Sequence, residues 1–281
     1  MRLKRVAAAY FSPTGNTKRV AITIAEQVAD REGLPVQEMD LTLPEGRKDV
    51  RSFGPCELLV LGMPVYAGRI PNKILPVVQT LFKGNGALAV PVVTFGNRSY
   101  DNALIEMCSE LEKNSFHTIA GAAFASEHVF SPLLAPGRPD EEDRKEILAF
   151  AGNVSSKIRE IEPGENDGMA AVPEPVQVRG EFPIPGYYQP LGEDGQPAVF
   201  LKAKPKTADS CNDCGICAEV CPMGSVSSGN HGEVTGICIK CQACTRACPM
   251  HSRYFDDPAM LSHIRYLTDH YQRKTVNEVF L

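Results

Sequence analysis

Apolar residues along the first 160 or so positions fall into two alternating patterns. Short apolar runs at 6–11, 36–40, 58–63, 88–95 and 119–125 read as strands. Between them, at 17–31, 72–82, 101–113 and 140–161, apolar positions recur at helical spacing. Unbroken runs suit strands covered on both sides, and the longer periodic segments suit the helices that cover them. In the first helix Val20, Ile24 and Val28 recur every fourth residue beside Ala21 and Ala25, and Gly33 followed by Pro35 ends it. The stretch 46–53 has no clear period and is assigned a helix. The alternation predicts an α/β unit built on a five-stranded parallel sheet with helices on both faces.

The pattern changes at 163, so we place a first domain at 1–162. Residues 163–208 carry eight prolines and no period, yet Phe182, Tyr187, Tyr188 and Phe200 fall there. A disordered linker is poor in aromatic residues, so an ordered strap packed on one or both domains is expected. A 27-residue repeat follows, "CNDCGICAEVCPMGSV" from Cys211 and "CIKCQACTRACPMHSR" from Cys238. Two units related by a near two-fold are expected at 209–255, each too small to bury a core alone. The tail, 256–281, holds one helix in which Met260, Ile264 and Leu267 share a packing face.

At 281 residues with 43% hydrophobic content, the chain suits one large or two unequal globular domains. Its net charge of -5 gives no support to nucleic-acid binding. No stretch approaches the roughly 18 apolar residues of a membrane helix, and the basic start is broken by Ser12-Pro13 before any cleavage-like site. A cytoplasmic protein is expected. In a reduced compartment ten cysteines do not suit disulfides, and eight of them lie between Cys211 and Cys248, which points to metal.

The first strand runs into "FSPTGNT" (11–17), a turn of hydroxyl groups, one glycine and one amide that opens a helix. Backbone N–H groups there favour an anion. Ser12, Thr14, Asn16 and Thr17 add side-chain donors, and Gly15 permits close approach. The string is neither GxxxxGK[ST] nor GxGxxG, so a monophosphate suits it better than a triphosphate or dinucleotide. The plain alternative is a helix cap. In the 2-1-3-4-5 strand order, ligands lie outside the carboxyl ends of strands 1, 3 and 4. Strand 3 ends in "GMPVYAGRIP" and strand 4 in "TFGNRSYDN", with Tyr66 and Tyr100 as aromatics able to cover a flat ring.

With all three loops in place, residues 1 to about 160 resemble the flavodoxins. That resemblance implies FMN, with Ser12, Thr14, Gly15, Asn16 and Thr17 on its phosphate. Pro64, Val65, Tyr66, Ala67 and Gly68 would form one side of the isoalloxazine site, and Thr94, Phe95, Gly96, Asn97, Arg98 and Tyr100 the other. Two departures stand out: the chain has no tryptophan to stack on the ring, and Arg69 and Arg98 stand where an acidic rim is usual. A cation there would raise the flavin potential. Alternatively, both arginines lie on a solvated loop face or bond to the strap.

Cx2Cx2Cx3CP occurs twice. Zinc accepts four thiolates, but its sites usually pair two short knuckles, whereas a run of three wraps a cubane and the fourth cysteine ligates the other cluster. Residues 209–255 resemble bacterial two-cluster ferredoxins throughout. Cys211, Cys214, Cys217 and Cys248 are assigned to cluster one, and Cys221, Cys238, Cys241 and Cys244 to cluster two. Both are expected as [4Fe-4S], with Ile216, Val220, Ile237 and Ile239 as an apolar shell. Cys56 and Cys108 read as inert core thiols, and His231 and His251 as surface residues.

Taken whole, the chain resembles the flavodoxin-ferredoxin fusion proteins. That implies electron transfer between one-electron clusters and a one- or two-electron flavin, with a ferredoxin or reductase as redox partner. A second reading is an oxidoreductase whose FMN reduces a small acceptor such as a quinone, with Glu127 and His128 of "SEHVFSP" supplying a proton. A redox-sensing binding protein is the third.

Overall fold

The computed structural model describes residues 1–161 and 173–281. The boundary at 162/163 and the strap's residues to 172 lie outside the described residues. The first unit is a sheet of β1 (Arg5–Tyr10), β2 (Val36–Asp40), β3 (Glu57–Pro64), β4 (Ala87–Phe95) and β5 (Gly121–Ala125), all parallel, in the order β2-β1-β3-β4-β5. Ala8 stands beside Glu38 on one side and Val60 on the other. Helices α1 (Asn16–Glu32), α2 (Leu75–Leu81), α3 (Ala103–Lys113) and α4 (Glu141–Glu160) connect or follow the strands.

The strands' two-residue period sorts the core into two layers. Ala7, Ala9, Phe11, Leu59 and Leu61 face the side on which α2 and α3 pack. Val6, Ala8, Tyr10, Leu58 and Val60 face Val20 and Ile24 of α1 and Ile147, Phe150 and Val154 of α4. Gly62 is required where α1 crosses β3, because a Cβ there would stand 2.9 Å from the Ala21 Cβ. Asp140 caps α4 by accepting from the Glu142 and Asp143 N–H groups.

Three readings need correction. The segment near 46–53 forms a short 3-10 turn at Pro44–Arg47 and an extended pair, Arg51–Ser52 with Phe82–Lys83, because Pro44 and Gly46 favour a turn over a continuing helix. Among the described residues the five parallel strands are present in the expected order, and two short strands extend their sheet. Phe116–Thr118 pairs with β4 ahead of β5, and the tail strand β6 (Glu278–Phe280) pairs antiparallel with β5. The tail thus supplies an edge strand as well as the helix α7 (Pro258–His270), on which Met260 and Leu267 are buried. Finally, Cys56 is half-buried in a turn with φ of 65° rather than in the core, whereas Cys108 is buried, and burial pushes its thiol up to about 12.

From 173 the strap crosses the carboxyl-end loops of the sheet. The Val176 N–H donates to the Thr118 carbonyl, Glu181 N–H to Asn102 Oδ1 and Tyr188 N–H to the Ala67 carbonyl. Lys206–Thr207 then pairs with Arg253–Tyr254 and carries the chain into the cysteine-rich unit. There α5 (Ile216–Glu219) and α6 (Ala243–Arg246) occupy equivalent places in the two repeats.

Candidate functional site

The 11–17 turn lies where β1 hands over to α1. Gly15 is the N-cap residue at φ +91°, with nothing within 4 Å of where a Cβ would stand. That conformation is cheap only for glycine. The first turn of α1 contains no acidic residue, and the N–H groups of Asn16 and Thr17 have no partner within the helix. Ser12 is spent locally: its Oγ accepts from the Lys18 N–H at 3.0 Å. Thr17 is buried and its hydroxyl lies 2.6 Å from that of Thr94, at the end of β4, so it joins two loops instead of opening outward. Thr14 and the Asn16 amide remain at the turn's surface. An acid-free helix start with unspent N–H donors fits a phosphate group. The sequence reading missed Arg19, an exposed cation in this first turn whose Nη2 donates to Asn16 Oδ1 at 3.3 Å.

The two wall loops meet through the Val65 N–H, which donates to the Thr94 carbonyl at 2.8 Å. Tyr66 and Arg69 close a tight turn by bonding each other's backbone. Several residues assigned to the walls serve other ends. Tyr100 is fully buried against Phe95, and its hydroxyl donates to Glu278 in β6 at 2.7 Å, so it cannot cover a ring. Phe95 is core, and Asn97 is buried with its amide donating to the tail carbonyls of Tyr271 and Arg273.

Both arginines bond inward and to the strap. Arg69 pairs with buried Glu106, donates to the Pro185 carbonyl at 2.9 Å and lies 4.7 Å from the Tyr187 ring centre. Arg98 pairs with Asp101 and lies 3.8 Å over Tyr188. Ala67, Gly68, Arg98, Ser99, Arg179 and Tyr188 line much of a cleft of about 520 Å³ between the wall loops and the strap.

The cysteine repeat is a structural repeat as well. Asp213 and Lys240, Gly215 and Gln242, and Gly224 and His251 are pairs 27 positions apart, and all six have positive φ. N–H to sulfur bonds recur at the same offset: Asp213 to Cys211 and Lys240 to Cys238, Ser225 to Cys221 and Ser252 to Cys248, each 3.3 to 3.4 Å. Such donors stabilise thiolate charge. Among the described residues no three His, Cys, Asp or Glu side chains close on the position of one metal ion. Instead Cys221 of the first repeat joins Cys238, Cys241 and Cys244 of the second around a single cavity, walled also by Val226 and Ile239. That grouping fits a cubane held by three neighbours and one crossed ligand. Ile237 borders the cavity but is 53% exposed, because it sits on the outer turn between the repeats and not in an enclosing shell.

A 4Fe-4S binding domain family matches residues 205–227. No curated protein matches the chain. Among solved structures, an archaeal flavodoxin is similar at 13% identity, with 55% of this chain and 99% of that one covered and a TM-score of 0.38. A flavodoxin of Streptococcus pneumonia TIGR4 is similar at 18% identity, covering 54% and 97%, with a TM-score of 0.37. An NAD(P)H:quinone oxidoreductase from Methanothermobacter marburgensis is similar at 12% identity, covering 57% and 99%, with a TM-score of 0.36. Those likenesses carry no argument about this chain. Its own strand order, β2-β1-β3-β4-β5, gives the first unit a flavodoxin-like topology, and the 4Fe-4S binding domain match falls at the start of the cysteine-rich unit that follows.

The ferredoxin-like unit sits on the wall loops of the flavodoxin-like unit. Burial, and then the thiols of Cys241 and Cys238, push the Tyr66 phenol well above its usual value. Ile239 packs on the flavodoxin-like core, and Arg47 donates to the Pro222 carbonyl. On the other side Arg246 of α6 pairs with Glu127 at 2.9 Å and donates to the His128 carbonyl at 3.1 Å. This corrects the proton-donor reading of both residues. Glu127 is occupied as an inter-unit tie. The His128 ring is wedged against Gly96, and its Nδ1 accepts from the Phe130 N–H. Burial, then the charges of His263, Arg246 and Arg98, pull it down to about 4, so at neutral pH the ring is an uncharged imidazole whose Nδ1 is already engaged as an acceptor. His231 is half-buried and bonds Asp213 at 2.6 Å, while His251 is exposed. Among the described residues no helix is long and apolar enough to cross a membrane.

Proposed function

We propose that this chain is an electron-transfer flavoprotein that relays electrons between two [4Fe-4S] clusters and one FMN, converting between one- and two-electron carriers. When bound, the clusters supply single-electron exchange and the flavin one- or two-electron exchange. In this reading Thr14, Asn16 and the first-turn N–H groups hold the phosphate, with Gly15 giving room. Residues 64–68 and 94–98 flank the ring. Cys211, Cys214, Cys217 and Cys248 hold one cluster, and Cys221, Cys238, Cys241 and Cys244 the other.

The observation that carries the reading is the seat of the second cysteine run on the first unit: Ile239, between Cys238 and Cys241, packs on the flavodoxin-like core, and the phenol of the wall residue Tyr66 feels the charge of both cysteines. A second asymmetry supports an order of transfer. Cys214 is exposed while its repeat counterpart Cys241 is buried, so cluster one is the outer site and cluster two the inner one. The outer thiol marks the face for a redox protein such as a ferredoxin or reductase. The cleft of about 520 Å³ beside the wall loops favours a second reading, direct reduction of a small oxidised acceptor. Glu127 and His128 do not serve that reading as proton donors.

Anaerobic purification followed by cluster reconstitution tests the proposal. One FMN, eight iron and eight sulfide per chain are expected, with fast reduction by a one-electron donor and slow reduction by NADH. Two zinc ions without sulfide would overturn the cluster assignment, and rapid saturable reduction by NADH would favour the enzyme reading.

A further inference from the structure

The two cysteine repeats share a backbone and differ in charge. From Ala208 to Ile237 the chain carries Asp209, Asp213, Glu219 and Glu233 and no lysine or arginine. From Cys238 to Phe255 it carries Lys240, Arg246 and Arg253 and no carboxylate. Backbone symmetry does not require this division, so its cause lies in what each repeat faces.

The cations face the rest of the chain. Lys240 Nζ donates to the carbonyls of Leu201 at 2.6 Å and Cys238 at 3.2 Å. Arg246 reaches across to Glu127 and the His128 carbonyl, and Arg253 is 3% exposed. The carboxylates face water. Asp209, Asp213, Glu219 and Glu233 are exposed, as is Cys214 beside Asp213, and among the described residues none of the four pairs with a lysine or arginine. His231 Nδ1 meets Asp213 Oδ1 at 2.6 Å, which fixes that carboxylate beside the exposed thiol. Lys206, which leads into this unit, pairs with Asp256 at 2.7 Å and so adds no net charge. Apolar surface adjoins the carboxylates. Met250 is 45% exposed, and its segment is tied to the first repeat by the Ser210 and Ser252 hydroxyls, 2.8 Å apart, and by the Ala208 N–H, which donates to the Ser252 carbonyl at 2.8 Å.

We propose that the exposed face of the first repeat is a docking surface for a redox protein whose own centre opens through a ring of lysine and arginine side chains. The inference rests on the cluster reading above and deepens it by naming the partner's chemistry. An exposed ligand thiol with apolar surface and unpaired carboxylates around it has the makeup of an interface core with a charged rim. Opposite charge on the partner speeds encounter and orients it, and salt screens the effect. On docking, one electron crosses between the outer cluster and the partner's centre, and no bond is made or broken. The second repeat uses its charges to sit on the flavodoxin-like unit, whereas the first presents its charges to a partner arriving from solution.

Stopped-flow oxidation of the dithionite-reduced, reconstituted full-length chain by a basic c-type cytochrome tests this across ionic strength. The ferric haem accepts the electron, and its absorbance gives the rate. The second-order rate constant should fall steeply with salt. Asp209→Asn, Asp213→Asn and Glu219→Gln together should lower it at least about tenfold at low salt and flatten its salt dependence, with iron and sulfide content unchanged. Asparagine suits the positive φ of 54° at position 213. Glu26→Gln, Asp30→Asn and Glu160→Gln, at exposed carboxylates on helices of the first unit, make the same change in net charge and should lower the rate less than about threefold. A rate that rises with salt, or equal slowing in the two triple variants, overturns the proposal. Should the first triple variant lose iron, Asp209→Asn with Glu219→Gln takes its place under the same criteria. A wild-type chain that binds neither iron nor sulfide refutes the cluster reading and this proposal with it, whereas a loaded chain indifferent to salt refutes the docking surface alone.

Discussion

Replacing Glu106 by Gln should release the strap from the wall loops. Glu106 is 1% exposed and receives three donors: Arg69 through Nε at 3.2 Å and through Nη2, and the Ile70 N–H at 3.0 Å. Arg69 in turn holds the strap through the Pro185 carbonyl and the Tyr187 ring, and the Tyr187 hydroxyl donates to the Ile70 carbonyl at 2.8 Å. The amide keeps the side chain's shape but removes its charge and turns one acceptor into a donor, so a buried donor loses its partner. Breaking a buried ion pair from one side costs about 3 to 5 kcal/mol. The lower end applies because Arg69 is 18% exposed and keeps its strap contacts, so about 3 kcal/mol is expected. That is about a hundredfold in local opening at 1.4 kcal/mol per decade. The Tyr188 amide, bonded to the Ala67 carbonyl, is the reporter. Its hydrogen exchange should speed up about a hundredfold alongside the loss seen in denaturant unfolding. Glu45→Gln is the control, since its bridge to Lys48 is exposed and worth at most about 1 kcal/mol. A Glu106→Gln loss no larger than the control's, with Tyr188 protection unchanged, would refute the reasoning.

Three further outcomes follow from the same geometry. Cys248→Ser should alter the resonance signal shared with Cys214→Ser and leave that of Cys241→Ser, because Cys221, its repeat counterpart, lines the cavity of the opposite run. Thr14→Val with Asn16→Leu should remove two donors to the phosphate, each worth about 1.5 to 3 kcal/mol toward a charged group, and weaken FMN at least a hundredfold in titration calorimetry while riboflavin changes little. Asp143 is pulled from 3.8 to about 2: burial opposes the shift, and Arg138, Asn277 and the Asp140 backbone outweigh it. A depressed carboxylate stabilises the fold above its unfolded value, so about 2 kcal/mol should be lost as pH falls from about 4 through about 2, and Asp143→Asn should flatten that part of a stability-versus-pH curve.

The sequence by itself determined the parts that repeat or alternate. A two-residue period in strands and a 3.6-residue period in helices are written locally, which is why β2 appears at the bounds read from the chain and β1, β3 and β4 lie within one residue of theirs. The cysteine runs were legible for a related reason, since ligand type and spacing are properties of a few adjacent residues. Tertiary structure decided what those residues face. Tyr100 and Tyr66 look alike in their loops, yet one is core, joined to Glu278 across more than 170 positions, and the other closes a tight turn with Arg69 within the charge field of Cys241 and Cys238. Glu127 reads as an acid at a strand end, and only the arrival of Arg246 from the other unit makes it a tie. The tail reads as one packing helix, because three residues that complete a sheet edge carry too short a period to announce a strand. Periodicity is a sum over neighbours in the chain, whereas burial and pairing are set by residues that folding brings together from far along it.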